Sequence, residues 1–430
     1  MHPNTYEGMN FANRMTVQYT GSDTLRSGML ITQDVASTGL AADVTSFTTR
    51  LGSTNGPIEA ARQGRIKLFT RPTIAAILNR GIVGVVVDAP PDGVVGNGVS
   101  VPVNIIPVRP DGAMVSDVAL YTDQNVAIGD VLGPIPGSYI AGRAVIPGSE
   151  IFQARVAQDR STTAGLVNGT LGFVPPDLLR TKIARIFNHW LPGDAAIGIS
   201  GFTPAETAAF GHILRGSSAA AAYSATEHGG AVTVTPNTTN IGQLEQTGLP
   251  CVLASGRSAF FRARYKVANV DADTYFGLGI NAAAVLTDGG YISNLDDYFG
   301  FVSDGDTASG AVLKFAYNKD NGTDRAITVL SSLASDTYID VAALIVNRRA
   351  GTTASSGAKY GKVFYAGASG DLAMLTGTAS PSVGTDVTAD GTIDLSDLFN
   401  DDEAMGLAIA SIGGTARAIT LDRWELSFNV

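Results

Sequence analysis

At the end of the chain Trp424, Leu426, Phe428 and Val430 alternate with Arg423, Glu425, Ser427 and Asn429. A strand sends successive side chains to opposite faces, so this stretch predicts a half-buried closing strand with an apolar inner and a solvated outer face. The same alternation runs through Phe261, Ala263, Tyr265 and Val267 against Arg262, Arg264, Lys266 and Ala268. Further strands are predicted over 275–280, 298–302, 311–317, 325–330, 339–347, 362–365 and 405–412. So many strands in residues 250–430 predict a β-sandwich, with Trp424 and Phe428 packing on Phe261 and Tyr265.

The N-terminal pattern is finer. Val17 and Tyr19 alternate with polar residues before a Gly-Ser-Asp turn at 21–23, and Met29, Leu30 and Ile31 resume the apolar run. A polar excursion over 37–64 has too little apolar content for a core and predicts an extended arm. From 74 to 160 short Val/Ile runs are cut by Pro-Pro-Asp-Gly at 90–93, Gly-Asn-Gly at 96–98 and Arg-Pro-Asp-Gly at 109–112, turn sequences that predict strands. The set Val17, Tyr19, Thr20, Gly28 and Leu30 is echoed by Leu120, Tyr121, Thr122, Gly129 and Leu132. This internal repeat predicts two similar hairpin units in one small barrel.

Between these regions the period changes. Leu178, Ile183, Ile186, Phe187 and Trp190 share a face at helical spacing, with Asp177 as N-cap. Thr203-Pro204-Ala205-Glu206 reads as a capping box opening a second helix through Ile213 and Leu214. The predicted fold class is therefore mainly β: a small N-terminal barrel-like domain with an extended arm over 1–170, a short helical connector and linker over 171–249, and a C-terminal sandwich or jelly roll over 250–430.

Composition narrows the function. Charged residues are only 16%, Gly numbers 50, and the net charge is -10 with Arg and Lys scattered. This argues against nucleic-acid binding, which needs a basic stripe for phosphates. No apolar run is long enough for a membrane span, and the N-terminus has no charged segment leading into an apolar one. A soluble protein made in a cytoplasm is expected. The single cysteine, Cys251, excludes an intrachain disulfide and a Cys-based zinc site, and reads as a buried apolar residue.

The candidate chemistry is sparse. His189, His212 and His228 lack the i,i+4 spacing that brings two imidazoles together on a helix. Asp296-Asp297 and Asp401-Asp402-Glu403 are adjacent pairs, which point opposite ways on a strand and sit beside turns. They do not form the facing carboxylates of a glycosidase, and no enzymatic activity is expected. Asp386, Thr388, Asp390, Asp394 and Asp397, with Gly391, place oxygen donors at positions 1, 3, 5, 9 and 12 of a calcium loop. A loop and edge strand of the sandwich account for the same residues without Ca2+. Tyr291, Tyr338 and Tyr360 are candidates for stacking on sugars.

Two resemblances bear on these readings. The stretch 128–159, with Gly-Asp-Val-Leu, Gly-Ser-Tyr-Ile-Ala-Gly-Arg-Ala-Val, Pro-Gly-Ser and a strand ending in Ala-Gln-Asp, resembles the capsid decoration, or cement, proteins of tailed bacteriophages. That resemblance implies a virion protein on the outer capsid surface, bound to the major capsid protein, bridging capsomers and often trimeric. Residues 250–430 are similar to concanavalin-like and laminin-G-like jelly rolls, on the order of FFRARYKV, FGLGI, DYFGF, GLAIAS and LDRWELS. The two together imply a structural virion protein whose outward sandwich binds glycans. The alternative is a carbohydrate-binding, lectin-like adhesion protein such as a head or tail fibre component.

Overall fold

The computed structural model describes residues 14–19, 21–33, 68–78, 82–96, 101–108, 114–122, 126–142, 145–155, 165–172, 183–189, 207–208, 212–215, 220–223, 231–237, 241–246, 251–254, 256–270, 273–280, 298–304, 312–318, 325–347, 359–366, 372–376, 391–395, 404–412 and 415–429. The chain divides into two compact units, one of Met1–Arg180 with Gly351–Thr353 and one of the remainder. The arm predicted over 37–64 lies outside the described residues.

The first unit holds two barrels rather than the single barrel predicted. Strands β1 (Met15–Tyr19), β2 (Leu30–Gln33), β3 (Leu68–Thr70), β4 (Val83–Val87) and β5 (Val101–Pro107) close in the order β1-β3-β2-β4-β5. A short helix α1 (Ile74–Leu78), capped by the Thr73 hydroxyl accepting from the Ala76 N–H, stands before β4. Strands β6 (Val115–Thr122), β7 (Val131–Pro134), β8 (Ala141–Gly142), β9 (Phe152–Ala154) and β10 (Gly165–Leu171) close as β6-β8-β7-β9-β10, the same cyclic order. In each barrel the first and third strands are parallel.

The echo noted in the sequence is thus a duplicated topology. In barrel one the Gly28 N–H donates to Val86 and the Val86 N–H to Met29; in barrel two the Gly129 N–H donates to Ala154 and the Ala154 N–H to Asp130. Gly28 and Gly129 both take positive φ, +93° and +85°, at the third position of an equivalent turn. The barrels share a core. Leu30, Val83, Val85, Ile106 and Val108 from the first pack with Val118, Leu120, Leu132 and Phe152 of the second. Gly28 is what permits the approach, because a Cβ there would stand 2.4 Å from Leu166 Cδ2. Its carbonyl accepts the Tyr121 N–H at 2.9 Å.

The second unit is the predicted sandwich, extended by the segment expected to be helical. Its strands are β11 (Ile183–His189), β12 (Thr207–Ala208), β13 (His212–Arg215), β14 (Ala220–Tyr223), β15 (Val232–Thr235), β16 (Gly242–Gln246), β17 (Cys251–Val252), β18 (Ser258–Val267), β19 (Asp273–Ile280), β20 (Tyr298–Asp304), β21 (Val312–Asn318), β22 (Arg325–Leu330), β23 (Ile339–Asn347), β24 (Lys359–Ala366), β25 (Ala373–Met374), β26 (Ile393–Asp394), β27 (Ala404–Ile412) and β28 (Ile419–Asn429). One sheet runs β14-β15-β28-β18-β23-β24-β25, with β11 on β28 and β26 on β24. The other runs β12-β13-β16-β27-β19-β20-β21-β22, with β17 on β27.

The helical connector is therefore corrected. β11 pairs antiparallel with β28 from Ile183↔Asn429 to His189↔Arg423, and β13 pairs with β16. The physical reason is competition for backbone groups. A short segment with Ile183, Ile186 and Phe187 fits either period, and the ladder offered by the long β28 satisfies N–H and C=O groups that an isolated short helix would leave exposed. Asp177, Leu178, Trp190 and Thr203–Glu206 lie outside the described residues.

The two sheets enclose one core. Phe261, Tyr265, Ile345, Trp424, Leu426 and Phe428 from the first meet Phe276, Phe299, Phe301, Phe315, Leu407 and Ile409 from the second, with the ring of Phe261 edge-on to Phe276 at 5.7 Å. Burying a side chain of this size contributes about 1.5–3 kcal/mol, so this layer dominates the unit's stability. As expected, the opening and closing strands pair, with Phe261 opposite Leu426 and Ala263 opposite Trp424.

Candidate functional site

The alternation of β18 fixes the site. Ala263, Tyr265 and Val267 enter the core, so Arg262, Arg264 and Lys266 must stand on the outer face. On one side β23 presents Asp340, paired with Arg264, and Tyr338 precedes it. On the other side β28 presents Thr420 beside Lys266, and β15 adds Thr233 beside Thr420, their hydroxyls 3.1 Å apart.

A β-bulge shapes this face. Arg264 pairs with Arg423 but Tyr265 with Leu421, so Asp422 is the extra residue of β28. Leu421 and Trp424 both enter the core although three positions apart, and Asp422 and Arg423 are left together outside, where a bulge re-aims side chains. Asp422 Oδ2 stands 3.7 Å from Arg264 Nη1. The spacing of three between Leu421 and Trp424 is the sequence signal that the strand departs from strict alternation there.

Beside the bulge lies a half-buried ionic knot. Asp340 accepts from Arg262 Nε at 2.8 Å and from Arg262 Nη2, and Arg423 Nη2 reaches the same carboxylate at 2.9 Å. Burial works against the Arg262 charge, but the hydrogen bond and charge of Asp340, with Glu425 adding to them, raise the guanidinium above its ordinary pKa. The outer face of the closing strand is not the solvated surface predicted: Glu425 is 7% exposed and Ser427 1%.

Toward the end of β18 the face opens. The Arg264 guanidinium lies 5.0 Å and the Lys266 ammonium 5.2 Å from the Tyr338 ring centroid, two cation–π contacts on one ring. The Arg264 side chain is 41% exposed. Thr233, Thr420, Lys266, Arg264, Tyr338 and Arg423 thus form a half-exposed ledge of hydroxyls, cations and one aromatic ring.

The other residues singled out in the sequence fall elsewhere. Tyr360 is 2% exposed in β24, and Tyr291 is outside the described residues. Cys251 is buried and its thiol is pushed up to about 12 by burial, which leaves it protonated and unreactive at neutral pH. His189 and His212 lie in different sheets, and His228, Asp296, Asp297, Asp401, Asp402 and Glu403 are outside the described residues.

Of the calcium-loop residues, Asp386, Thr388, Asp390 and Asp397 are also outside. Asp394 lies in β26, opposite Tyr360. Gly391 takes φ +74°, and Ile393 is fully buried in the sandwich core. Among the described residues no group of three or more His, Cys, Asp and Glu is placed to hold a metal.

No protein-family model matches the chain, and no curated protein matches it. The resemblance to capsid decoration proteins rests on residues 128–159, whose described part forms the turn and strands β7 to β9 of the second barrel. Solved structures do match. Lectin II from Ulex europaeus is 13% identical, over 57% of this chain and 99% of that one, with a TM-score of 0.35. Lectin I-B4 from Griffonia simplicifolia is 10% identical, over 57% and 100%, with a TM-score of 0.31. The carbohydrate recognition domain of Emp47p is 8% identical, over 53% and 92%, with a TM-score of 0.32. These neighbours are lectin-like, concanavalin-type sandwiches.

Proposed function

We propose that the protein is a carbohydrate-binding adhesion protein that binds without catalysis, and that the outer ledge of the sandwich is its contact surface. The observation that carries this reading is Tyr338, the one described residue of the three sugar-stacking candidates that is not buried, with Arg264 and Lys266 against its ring and Thr420 and Thr233 farther across the same sheet face. An aromatic face accepts the C–H side of a sugar ring, while flanking hydroxyls and a guanidinium satisfy its hydroxyl groups. The test is a glycan array probed with the full-length chain. Binding that disappears in Tyr338→Ala, with an unchanged melting temperature, supports the proposal. Absence of binding to any glycan, or binding indifferent to that substitution, refutes it.

The calcium loop belongs to the same proposal. Its sixth position requires a left-handed residue, and Gly391 has that conformation. Asp386, Thr388, Asp390, Asp394 and Asp397 would supply the oxygens, and bound Ca2+ would stiffen the segment leading into β26. Ca2+ should then raise the melting temperature of the wild type and leave Asp390→Ala unmoved. A wild type indifferent to Ca2+ removes the site.

The tandem barrels favour a second role, compatible with the first. In this reading the N-terminal unit attaches the protein, as a homotrimer, to the major capsid protein on the outer surface of a phage shell. It is supported by the resemblance in 128–159 and by Ile128, 61% exposed at the tip of the second barrel's turn. The full chain should co-sediment with shells and a chain lacking residues 1–180 should not; retention of the truncated chain would overturn this role.

A further inference from the structure

A pair of tyrosines joins the two barrels of the first unit. The connection between β7 and β8, residues 135–140, reaches over the first barrel: the Gly137 N–H donates to the Pro72 carbonyl at 2.7 Å, and the Tyr139 carbonyl accepts the Leu30 N–H at 2.8 Å. The Tyr139 ring packs on the first barrel's core, edge-on to Tyr19 with the centroids 6.4 Å apart. The two hydroxyls meet at 2.7 Å, although 120 residues separate them in sequence.

The acceptors fix the direction of the protons. Tyr139 donates to Asp23 Oδ2 at 3.0 Å, and the Asp23 carbonyl lies 3.1 Å from the Tyr19 hydroxyl. With the Tyr139 proton committed to the carboxylate, Tyr19 supplies the proton of the contact between the hydroxyls. Tyr19 is fully buried, Tyr139 half-buried and Asp23 exposed, so this chain of donors runs from the core to the solvent. Burial, followed by the hydrogen bond with Tyr19, raises the Tyr139 phenol above its ordinary pKa and keeps it protonated until an electron is removed.

A second tyrosine pair lacks this exit. Tyr275 and Tyr298 have the same ring separation of 6.4 Å, but both are 1% exposed and the Tyr275 hydroxyl is turned to the Leu278 carbonyl.

We infer that Tyr19 and Tyr139 form an oxidative cross-linking site, at which a one-electron oxidant of the haem-peroxidase class, driven by hydrogen peroxide, ties the two barrels together through a dityrosine bond. The oxidant takes an electron from Tyr139, whose proton passes to Asp23 and on to solvent. A hydrogen atom then crosses from the Tyr19 hydroxyl to the Tyr139 oxygen, which moves the radical to Tyr19 and restores the Tyr139 phenol. A second oxidation of Tyr139 leaves two radicals in contact. They couple through the carbons ortho to their hydroxyls, and the hydrogens on those carbons return to the oxygens. The pair loses two electrons and two protons in all, which reduce one hydrogen peroxide to two waters. The chain has a single cysteine and forms no intrachain disulfide; this bond would close a loop spanning 120 positions and restrict the unfolded chain as a disulfide does.

The experiment treats the dilute full-length chain with a haem peroxidase and hydrogen peroxide. The expected product is a monomer lighter by two hydrogen atoms, with dityrosine fluorescence, a cross-linked peptide pair holding positions 19 and 139, and a higher melting temperature of the first unit. The cross-link and the rise in melting temperature should both be lost in Tyr19→Phe and in Tyr139→Phe, whose folding is checked by circular dichroism before oxidation. Asp23→Asn keeps an oxygen for Tyr139 but is no base, and should slow the coupling; Asp23→Glu should restore it. Coupling only between chains, or only through other tyrosines such as Tyr275 and Tyr298, overturns the inference. Coupling of 19 to 139 at the wild-type rate in Asp23→Asn overturns the proton path on which it rests.

Discussion

The ring of Tyr275 lies across Gly300: a Cβ on that glycine would come within 2.4 Å of Tyr275 Cε2. Gly300 is paired with Gly277, and a Cβ at Gly277 would stand 2.1 Å from the Phe299 carbonyl oxygen. The two glycines clear a floor on which the ring rests, and the Tyr275 hydroxyl donates to the Leu278 carbonyl at 2.8 Å. Tyr275 is 1% exposed, so the ring fills this part of the sheet's outer face instead of offering it to a ligand.

From this geometry Gly300→Ala is expected to destabilise the protein by about 1–3 kcal/mol through overpacking. Gly277→Ala should cost more, because its nearest obstacle is the Phe299 carbonyl oxygen at 2.1 Å, whereas at Gly300 the nearest atom belongs to the Tyr275 side chain and the backbone oxygen of Phe276 stands at 2.9 Å. Urea unfolding followed by circular dichroism checks the order. A Gly277→Ala protein as stable as the wild type would contradict the packing described.

Asp340 provides the second expectation. Removing it leaves Arg262 and Arg423 half-buried without their shared carboxylate, and Asp340→Ala should cost about 3–5 kcal/mol. Arg423→Ala should cost much less, since the Arg262 pair with Asp340 survives it. Comparable losses from the two substitutions, measured by denaturant midpoints at constant slope, would show that the knot is not organised around Asp340.

The third concerns pH and the first unit. Glu150, 6% exposed, accepts the Gly148 N–H at 2.7 Å, and burial raises its pKa above the ordinary carboxylate value. A raised folded pKa means that the native state binds more protons than the unfolded state between the ordinary and the raised value. Stability from this group is therefore present at acid pH and is lost as pH rises through the folded pKa. Glu150→Gln keeps an oxygen for Gly148 and cannot ionise. It should melt higher than the wild type at pH 7, and the difference should close below about pH 4.5, the ordinary carboxyl value. A gap that widens on acidification would reverse the assignment.

The sandwich was legible wherever one strand face meets the core. Arg325–Leu330 follows from alternation, and Ile339–Asn347, buried along its whole length, from a continuous apolar run rich in β-branched residues. β11 was not, because the partner that decides between helix and strand lies at the far end of the chain, in β28. The same distance hid the ledge. Arg264 and Lys266 read as an ordinary polar face, and Tyr338 as one tyrosine among several, until the register of β18 with β23 brought them together. The duplicated barrels left a visible trace in Gly28 and Gly129, but their separateness depends on closure, which no local pattern encodes.

The shared order of the two barrels also shows how unlike the two halves of their joint are. Barrel one docks through Gly28, Leu30 and Val85; the equivalent positions of barrel two are Gly129, Val131 and Gln153, followed by exposed Arg155. The seat on barrel two is Ala119, Tyr121 and Leu166, and its counterpart on barrel one is Thr16, Gln18 and Pro102. Each half of the joint is apolar where it is used; its twin has Gln153 in place of Val85 on one side, and Thr16 and Gln18 in place of Ala119 and Tyr121 on the other. The two barrels are therefore joined head to tail, each contributing a different face to the shared core.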